Sequence, residues 1–159
     1  MDKVPMTRQG YEALLEKLRK AKTVDRQMII KEIEVARGFG DLSENAEYEA
    51  AKEKQGLIEK QIKELEQKLT HAMVIDTRSL SSDRVIFGAR VRLEDLDRGE
   101  NIDYQIVGAD EADVEQGKIS INSPIARALI GKEEGDDVAV QTPGGVRNYS
   151  ILDISFGDI

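Results

Sequence analysis

Gly40-Asp41-Leu42-Ser43-Glu44-Asn45-Ala46-Glu47-Tyr48 separates two long amphipathic segments. Before it, Tyr11, Leu14, Leu18 and Ala21 recur at steps of three and four, and Met28, Ile29, Ile33 and Ala36 continue the stripe. That is the spacing of one helix face. Gly38 and Gly40 break it, because glycine weakens a helix and permits a turn. After it come Ala46, Ala50 and Ala51, small enough to let two helices approach closely, then Ile58, Ile62, Leu65, Leu69 and Ala72 in a heptad-like seam. Each segment has one narrow apolar stripe and is otherwise dense in Lys, Glu, Arg and Gln. This predicts an antiparallel α-helical coiled-coil hairpin over residues 1–75, with its tip near 38–45. From Tyr11 to Ala36 such a rod extends roughly 40 Å at about 1.5 Å per residue. A two-helix piece of a globular core is the competing reading, and the narrowness of the stripes speaks against it.

The acids Asp41 and Glu44 stand three apart at this reversal. One reading is local: Asp-x-x-Glu resembles a capping box, and both charges suit the positive end of the second helix. The other is chemical. Mg²⁺ takes oxygen ligands in near-octahedral geometry and often only one or two carboxylates, with water and phosphate completing the shell. Two carboxylates at the end of a rod hold such an ion weakly alone, but can share it with a partner. An ion of that kind activates an attacking water or stabilises a leaving oxygen. The residues alone leave both readings open.

Composition narrows the rest. The 159 residues carry a net charge of −8, with no Cys, no Trp and a single His. Absence of Cys removes disulfides, thiolate catalysis and Cys-based zinc sites, and fits a reducing compartment. His71 alone makes no multi-His metal site; near the end of the second helix it reads as a solvent-facing residue or a partner of the helix dipole. No stretch has the length and apolarity of a signal peptide or a membrane span. The expected setting is cytoplasmic, with no membrane partner. Residues 1–75 hold 14 basic and 14 acidic side chains, whereas residues 76–159 hold 9 and 17. An acidic half repels free DNA, so unaided duplex binding is not expected. A protein partner with a basic surface fits better.

The pattern changes after Ile75. Residues 76–83, with Ser, Asp and Thr, read as a linker to a second domain at 84–159. Strand-like runs cover 84–93, 101–107, 137–141 and 147–156, punctuated by Asp97-Arg98-Gly99 and Pro143-Gly144-Gly145. In the last run the alternation slips between Ile151 and Leu152, the sign of a bulge or a buried strand. Ser123 as N-cap, Pro124 at the first helical position and Gly131 after Ile130 mark one short helix. The fold class is therefore α+β: a helical hairpin, then an antiparallel β domain with a short helix. At the N-terminus, Pro5 lies just outside the first helix and Thr7 can cap it.

The tip segment resembles the signature of the Gre family of bacterial transcript cleavage and elongation factors. Ile119-Ser120-Ile121-Asn122-Ser123-Pro124-Ile125-Ala126-Arg127-Ala128-Leu129-Ile130-Gly131-Lys132-Glu133 resembles that family's C-terminal signature, and Val85-Ile86-Phe87-Gly88-Ala89 and Thr142-Pro143-Gly144-Gly145 fit as well. The resemblance runs from about Pro5 to the last strand. It implies an FKBP-like C-terminal domain and a factor that binds bacterial RNA polymerase at its secondary channel. The coiled coil would place Asp41 and Glu44 beside the polymerase active site. There they would help hold a Mg²⁺ shared with the polymerase and orient the water that cuts backtracked RNA. The catalytic centre would be the polymerase's own, so the factor would not be an enzyme by itself.

The same resemblance implies further roles. Arg37 and Lys52 would contact the extruded RNA 3′ segment; read without it, they lie on a solvated face. Asn122, Ser123 and Pro124 would belong to the surface that docks on the channel rim; read without it, they cap a helix. Ser43 and Asn45 support the turn, and Tyr48 is expected to pack against the opposite helix. The electroneutral rod points to the branch of the family with the smaller basic patch. The free protein is expected to be a monomer without tightly bound metal, meeting DNA only through the transcription complex. The chain departs from the family pattern at Gly38 and Phe39, where polar or charged residues are common. This bears on the tip's conformation and leaves the two acids untouched. Three other readings compete: a channel-occupying inhibitor, a prolyl isomerase and a coiled-coil scaffold. Intact Asp41 and Glu44 speak against the first. Residues 76–159 hold only Phe87, Tyr104, Tyr149 and Phe156 as aromatics, too few for the pocket of the second, and fold alone does not carry function. The third needs no tip carboxylates.

Overall fold

In this computed structural model, residues 3–39 and 42–157 are described, with the backbone alone at 39 and 42–45. They group into two compact units. One is Tyr11–Ala72; the other joins residues 3–10 to the chain from Met73 onward.

The helical unit is built from α1 (Arg8–Lys20), a π-helical turn at Ala21–Asp25, α2 (Arg26–Phe39) and α3 (Leu42–His71). The π turn explains which apolar residues face inward. Strict heptads from Leu14 and Ala21 lead to Met28 and Val35, yet these are 57 % and 61 % exposed. Ile29 (1 %) and Ala36 are buried in their place. In the π turn the Arg26 N–H donates to the Ala21 carbonyl five residues back, so one extra residue enters the turn. One residue rotates the following helix by about 100°, and the buried stripe moves from 28/35 to 29/36. Ile29 and Ile33 then close on Ala51 of α3, with half-buried Tyr48 and Ile58 against them. Full burial of a side chain such as Ile29 contributes about 1.5–3 kcal/mol.

Four expectations for this unit need correction. Met28 points away from the seam for the reason just given. Of the three alanines placed at the close approach, only Ala51 is buried; Ala46 and Ala50 are exposed. Ala72 is not the last rung of the seam, because α3 ends at His71 and Ala72–Ile75 forms a strand. Gly38 does not end α2, which runs on through Phe39.

The second unit contains a two-stranded sheet of β1 (Val4–Thr7) and β2 (Ala72–Ile75). It also contains a five-stranded sheet of β3 (Arg90–Asp95), β4 (Glu100–Val107), β5 (Lys118–Ser120), β6 (Asp137–Thr142) and β7 (Gly145–Ser155), in the order β5-β4-β3-β7-β6. All pairs in the larger sheet are antiparallel except β4 with β5, where Ile106 lies beside Ile119 in a parallel pair. The sheet is thus mixed at one edge, where an all-antiparallel one was expected. The connection from β4 to β5 carries two 3₁₀ turns, Ala109–Glu111 and Val114–Gln116, which return the chain to run alongside β4. The slip in the last strand is a bulge: Arg92 pairs with Asp153 and Leu93 with Ile151, leaving Leu152 without a partner on β3.

The core of this unit gathers Val85, Ala89, Val91, Leu93, Ile106 and Ile151, covered by Ala126 and Leu129 of α4 (Pro124–Leu129). The expected strand at 84–93 becomes regular only at Arg90. Before it, Arg84 bridges to Glu133 and the chain turns at Gly88 (φ +86°), which buries Val85 and Ala89. Asp95 is 1 % exposed, and its Oδ1 accepts from the Asp97 and Arg98 amides at 3.0 and 3.1 Å. Arg147 donates to its other oxygen at 3.2 Å, so this buried charge organises the turn that the Asp97-Arg98-Gly99 breaker announces.

Residues 3–10 group with the β unit for a specific reason. Thr7 Oγ1 accepts from the Gly10 amide at 3.1 Å, as a cap of α1 should. Its own N–H donates to Glu111 Oε2 at 3.0 Å, and its hydroxyl donates to Glu111 Oε1. Glu111 also accepts from the Gly108 amide at 2.9 Å. Gly108 approaches so closely that a Cβ there would sit 2.5 Å from the Pro5 carbonyl oxygen. Segment 76–83, expected as a linker, contains a 3₁₀ turn at Thr77–Ser79 capped by Asp76, with Thr77 fully buried. Among the described residues, no helix is long and apolar enough to cross a membrane.

Candidate functional site

α2 stops at Phe39 and α3 starts at Leu42, so the reversal falls where the sequence places it. Asp41 lies outside the described residues. Glu44 belongs to the first turn of α3, and its side chain, like those of Ser43 and Asn45, also lies outside them. What the structure describes is the platform immediately below.

Three side chains meet on that platform. Tyr48 rests half-buried on Ile29, Ile33 and Ala51, so the expected packing against the opposite helix is observed. The Arg37 guanidinium carbon stands 5.7 Å from the Tyr48 ring centroid, within cation–π range. Hydrogen bonding from Arg37 holds the Tyr48 hydroxyl below its usual pKa; partial burial opposes this, and the charges of Arg37 and Lys52 reinforce it. Lys52 follows Tyr48 by one helical turn on the same face of α3, and its Nζ donates to Gln55 Oε1 at 3.2 Å. Of the two sequence candidates, Arg37 lies against the phenol and Lys52 one turn along the helix that carries it.

Their electrostatic state differs from that of cations farther down the rod. Lys22 pairs with Glu66 at 3.0 Å, Arg26 with Glu59 at 2.8 Å and Lys54 with Glu32 at 3.4 Å, all across the seam. Among the described residues, no carboxylate pairs with Arg37 or Lys52. An exposed guanidinium that no described carboxylate pairs suits an anion with two adjacent oxygens, such as a phosphodiester.

The docking candidates divide by function. Ser123 is occupied locally: its Oγ accepts from the Ala126 amide at 3.3 Å and donates to the Ser120 carbonyl at 2.7 Å. Asn122 and Pro124 are exposed on either side of it. The Asn122 amide donates to Ser120 Oγ at 3.1 Å and the Ile121 amide to the Val107 carbonyl at 2.8 Å, which ties the loop to the sheet. His71 is half-buried as the last residue of α3. Among the described residues, no group of three or more His, Cys, Asp or Glu side chains is placed to hold a metal ion.

Sequence reasoning missed the link between Arg37 and Tyr48, although a signal was present. In an antiparallel hairpin, residues equidistant from the reversal face each other. Arg37 and Tyr48 are equidistant from the point between Leu42 and Ser43, as are Arg26 and Glu59. The tie from Thr7 to Glu111 left no such signal, because nothing local relates positions 104 residues apart.

Residues 4–74 match the family described as "Transcription elongation factor, N-terminal", and residues 80–156 match "Transcription elongation factor, GreA/GreB, C-term". Transcription elongation factor GreA of Phenylobacterium zucineum is 57 % identical over 156 residues, covering 98 % of this chain and 99 % of the relative. The factor of the same name from Neisseria meningitidis serogroup A is 54 % identical over 157 residues, with the same coverage. Among solved structures, GreA factor homolog 1 from Thermus thermophilus is 32 % identical, with 96 % of this chain and 99 % of that one covered and a TM-score of 0.44. With both halves matched and full-length relatives above half identity, the chain belongs to the GreA/GreB family of transcription elongation factors.

Proposed function

We propose that this protein binds bacterial RNA polymerase and rescues backtracked elongation complexes by stimulating cleavage of the RNA 3′ end. The β unit docks on the rim of the secondary channel through the surface around Asn122, Ser123 and Pro124. The hairpin enters the channel and carries Asp41 and Glu44 to the polymerase active site. The observation that carries this reading is an acid pair lying in the sequence between two cations, Arg37 and Lys52, that no described carboxylate neutralises.

Each group has a defined task. Asp41 and Glu44 offer oxygen donors suited to Mg²⁺, but two carboxylates leave most of an octahedral shell to polymerase, RNA and water. Held by Asp41 and Glu44 together with the polymerase, such an ion would supply activation of a water and charge neutralisation at the phosphate. The carboxylates orient that water by accepting its hydrogen bonds. Arg37 and Lys52 hold the phosphates of the extruded RNA segment and keep the scissile bond in reach. The bond is cut in the polymerase's centre, and the protein works as a monomer that completes it.

The test is RNA cleavage in a purified backtracked polymerase complex with Mg²⁺, comparing the parent with its Asp41→Asn/Glu44→Gln variant after both are shown to bind. Cleavage should fall by roughly a hundredfold or more in the variant, the scale of losing charge stabilisation at a reacting phosphate. Equal cleavage by both would remove the acids from the chemistry. Binding without cleavage by the parent would make the protein a channel-occupying regulator.

A further inference from the structure

Resting on the functional reading above, we infer that Tyr48 is a positioning residue for Arg37, and that it pre-sets the guanidinium as the anion-binding group on the RNA side of the tip. Three observations lead there. The ring is anchored, because it packs on Ile29, Ile33 and Ala51 from both helices. The guanidinium lies against that ring at 5.7 Å. The alternative anchor for an exposed arginine, a carboxylate across the seam, serves Arg26 through Glu59 but serves Arg37 from none of the described residues.

The choice of anchor has a chemical consequence. A carboxylate partner occupies the N–H fork of a guanidinium and cancels its charge. A neutral phenol leaves the charge uncancelled and the N–H groups beyond the one bonded to its hydroxyl available, while still limiting the rotamers of a long side chain. An arginine held in this way loses less conformational entropy on meeting a phosphate than a free one does. Lys52, one turn along from Tyr48 on α3, adds a second charge on the same helix face.

The decisive experiment uses the full-length chain and the variants Tyr48→Phe, Tyr48→Leu, Arg37→Ala and Tyr48→Leu/Arg37→Ala. Circular dichroism melting first shows that each folds. In the free protein, side-chain ¹⁵N relaxation of the Arg37 Nε–H should report the most motion in Tyr48→Leu and an intermediate value in Tyr48→Phe, which keeps the ring but loses the hydroxyl that Arg37 bonds. In the backtracked complex, Tyr48→Leu should lower cleavage at saturating factor about two- to fivefold, the size of an exposed cation–π contact. The concentration for half-maximal effect should stay unchanged. In the Arg37→Ala background, Tyr48→Leu should cost nothing further. Unchanged Arg37 order in Tyr48→Leu, or losses that add in the double variant, would overturn the assignment and leave Tyr48 a packing residue. Absence of cleavage by the parent would overturn the functional reading instead, and the relaxation measurement would still decide the positioning of Arg37.

Discussion

At the level of Arg26 the two long helices are clasped by charge: the guanidinium meets Glu59 through two hydrogen bonds of 2.8 Å each. At the level of Arg37, closer to the reversal, the guanidinium lies against Tyr48 and no described carboxylate reaches it. The apolar seam is continuous between the two levels through Ile29 and Ile33. The difference is therefore one of surface electrostatics on a common scaffold. Lower on the rod, charge is spent on pairing the helices. At the level of Arg37, an aromatic ring takes the place of that pairing among the described residues.

The shared scaffold is the easiest part to break. Ile29→Ala should destabilise the helical unit by about 2–5 kcal/mol, the cost of a buried cavity. Val35→Ala, on the exposed side of the same helix, should stay within about 0.5 kcal/mol. Urea unfolding followed by circular dichroism compares them, and equal effects would refute the register shift attributed to the π turn. Gly38→Ala tests the upper end. This glycine is helical, exposed and has open space where a Cβ would go, so alanine should stabilise by about 0.5–1 kcal/mol. Destabilisation in the same unfolding assay would mean that the site requires glycine.

Lys52→Ala against Lys54→Ala sharpens the contrast in charge. Crosslinking to RNA in a backtracked complex should fall about two- to fivefold for Lys52, the scale of an exposed ionic contact. It should hold for Lys54, whose charge already meets Glu32. Equal losses would erase the distinction between open and paired cations. The smallest effect concerns pH. Hydrogen bonding from Arg26 holds the Glu59 carboxyl below its usual range. A depressed folded-state value contributes stability that is complete above the unfolded value and is lost as pH falls through the folded one. Melting temperature should therefore fall less steeply below about pH 4.5 in Glu59→Gln than in the parent, and added salt should narrow the gap. Identical pH profiles would show that the clasp contributes nothing.

Local pattern determined a good deal of this protein. The two stripes around Gly40 specified a helical hairpin, since period 3.6 is imposed by backbone geometry. Ser123-Pro124 and Gly131 specified the short helix, which forms with the expected cap. The slip at Leu152 left a bulge or a buried strand open, and the structure shows the bulge. The residue types at the tip and their family resemblance pointed to the acids and to Arg37 and Lys52. Tertiary structure alone decided the rest. It selected Ile29 over Met28 through a π turn, because helix phase depends on every residue that precedes it. It joined Thr7 to Glu111 and laid β5 parallel to β4, because such pairings depend on packing between segments distant in the chain. It also gave Arg37 a phenol and Arg26 a carboxylate: both are arginines on one helix, and which partner each receives depends on the side chain that the opposite helix brings level with it.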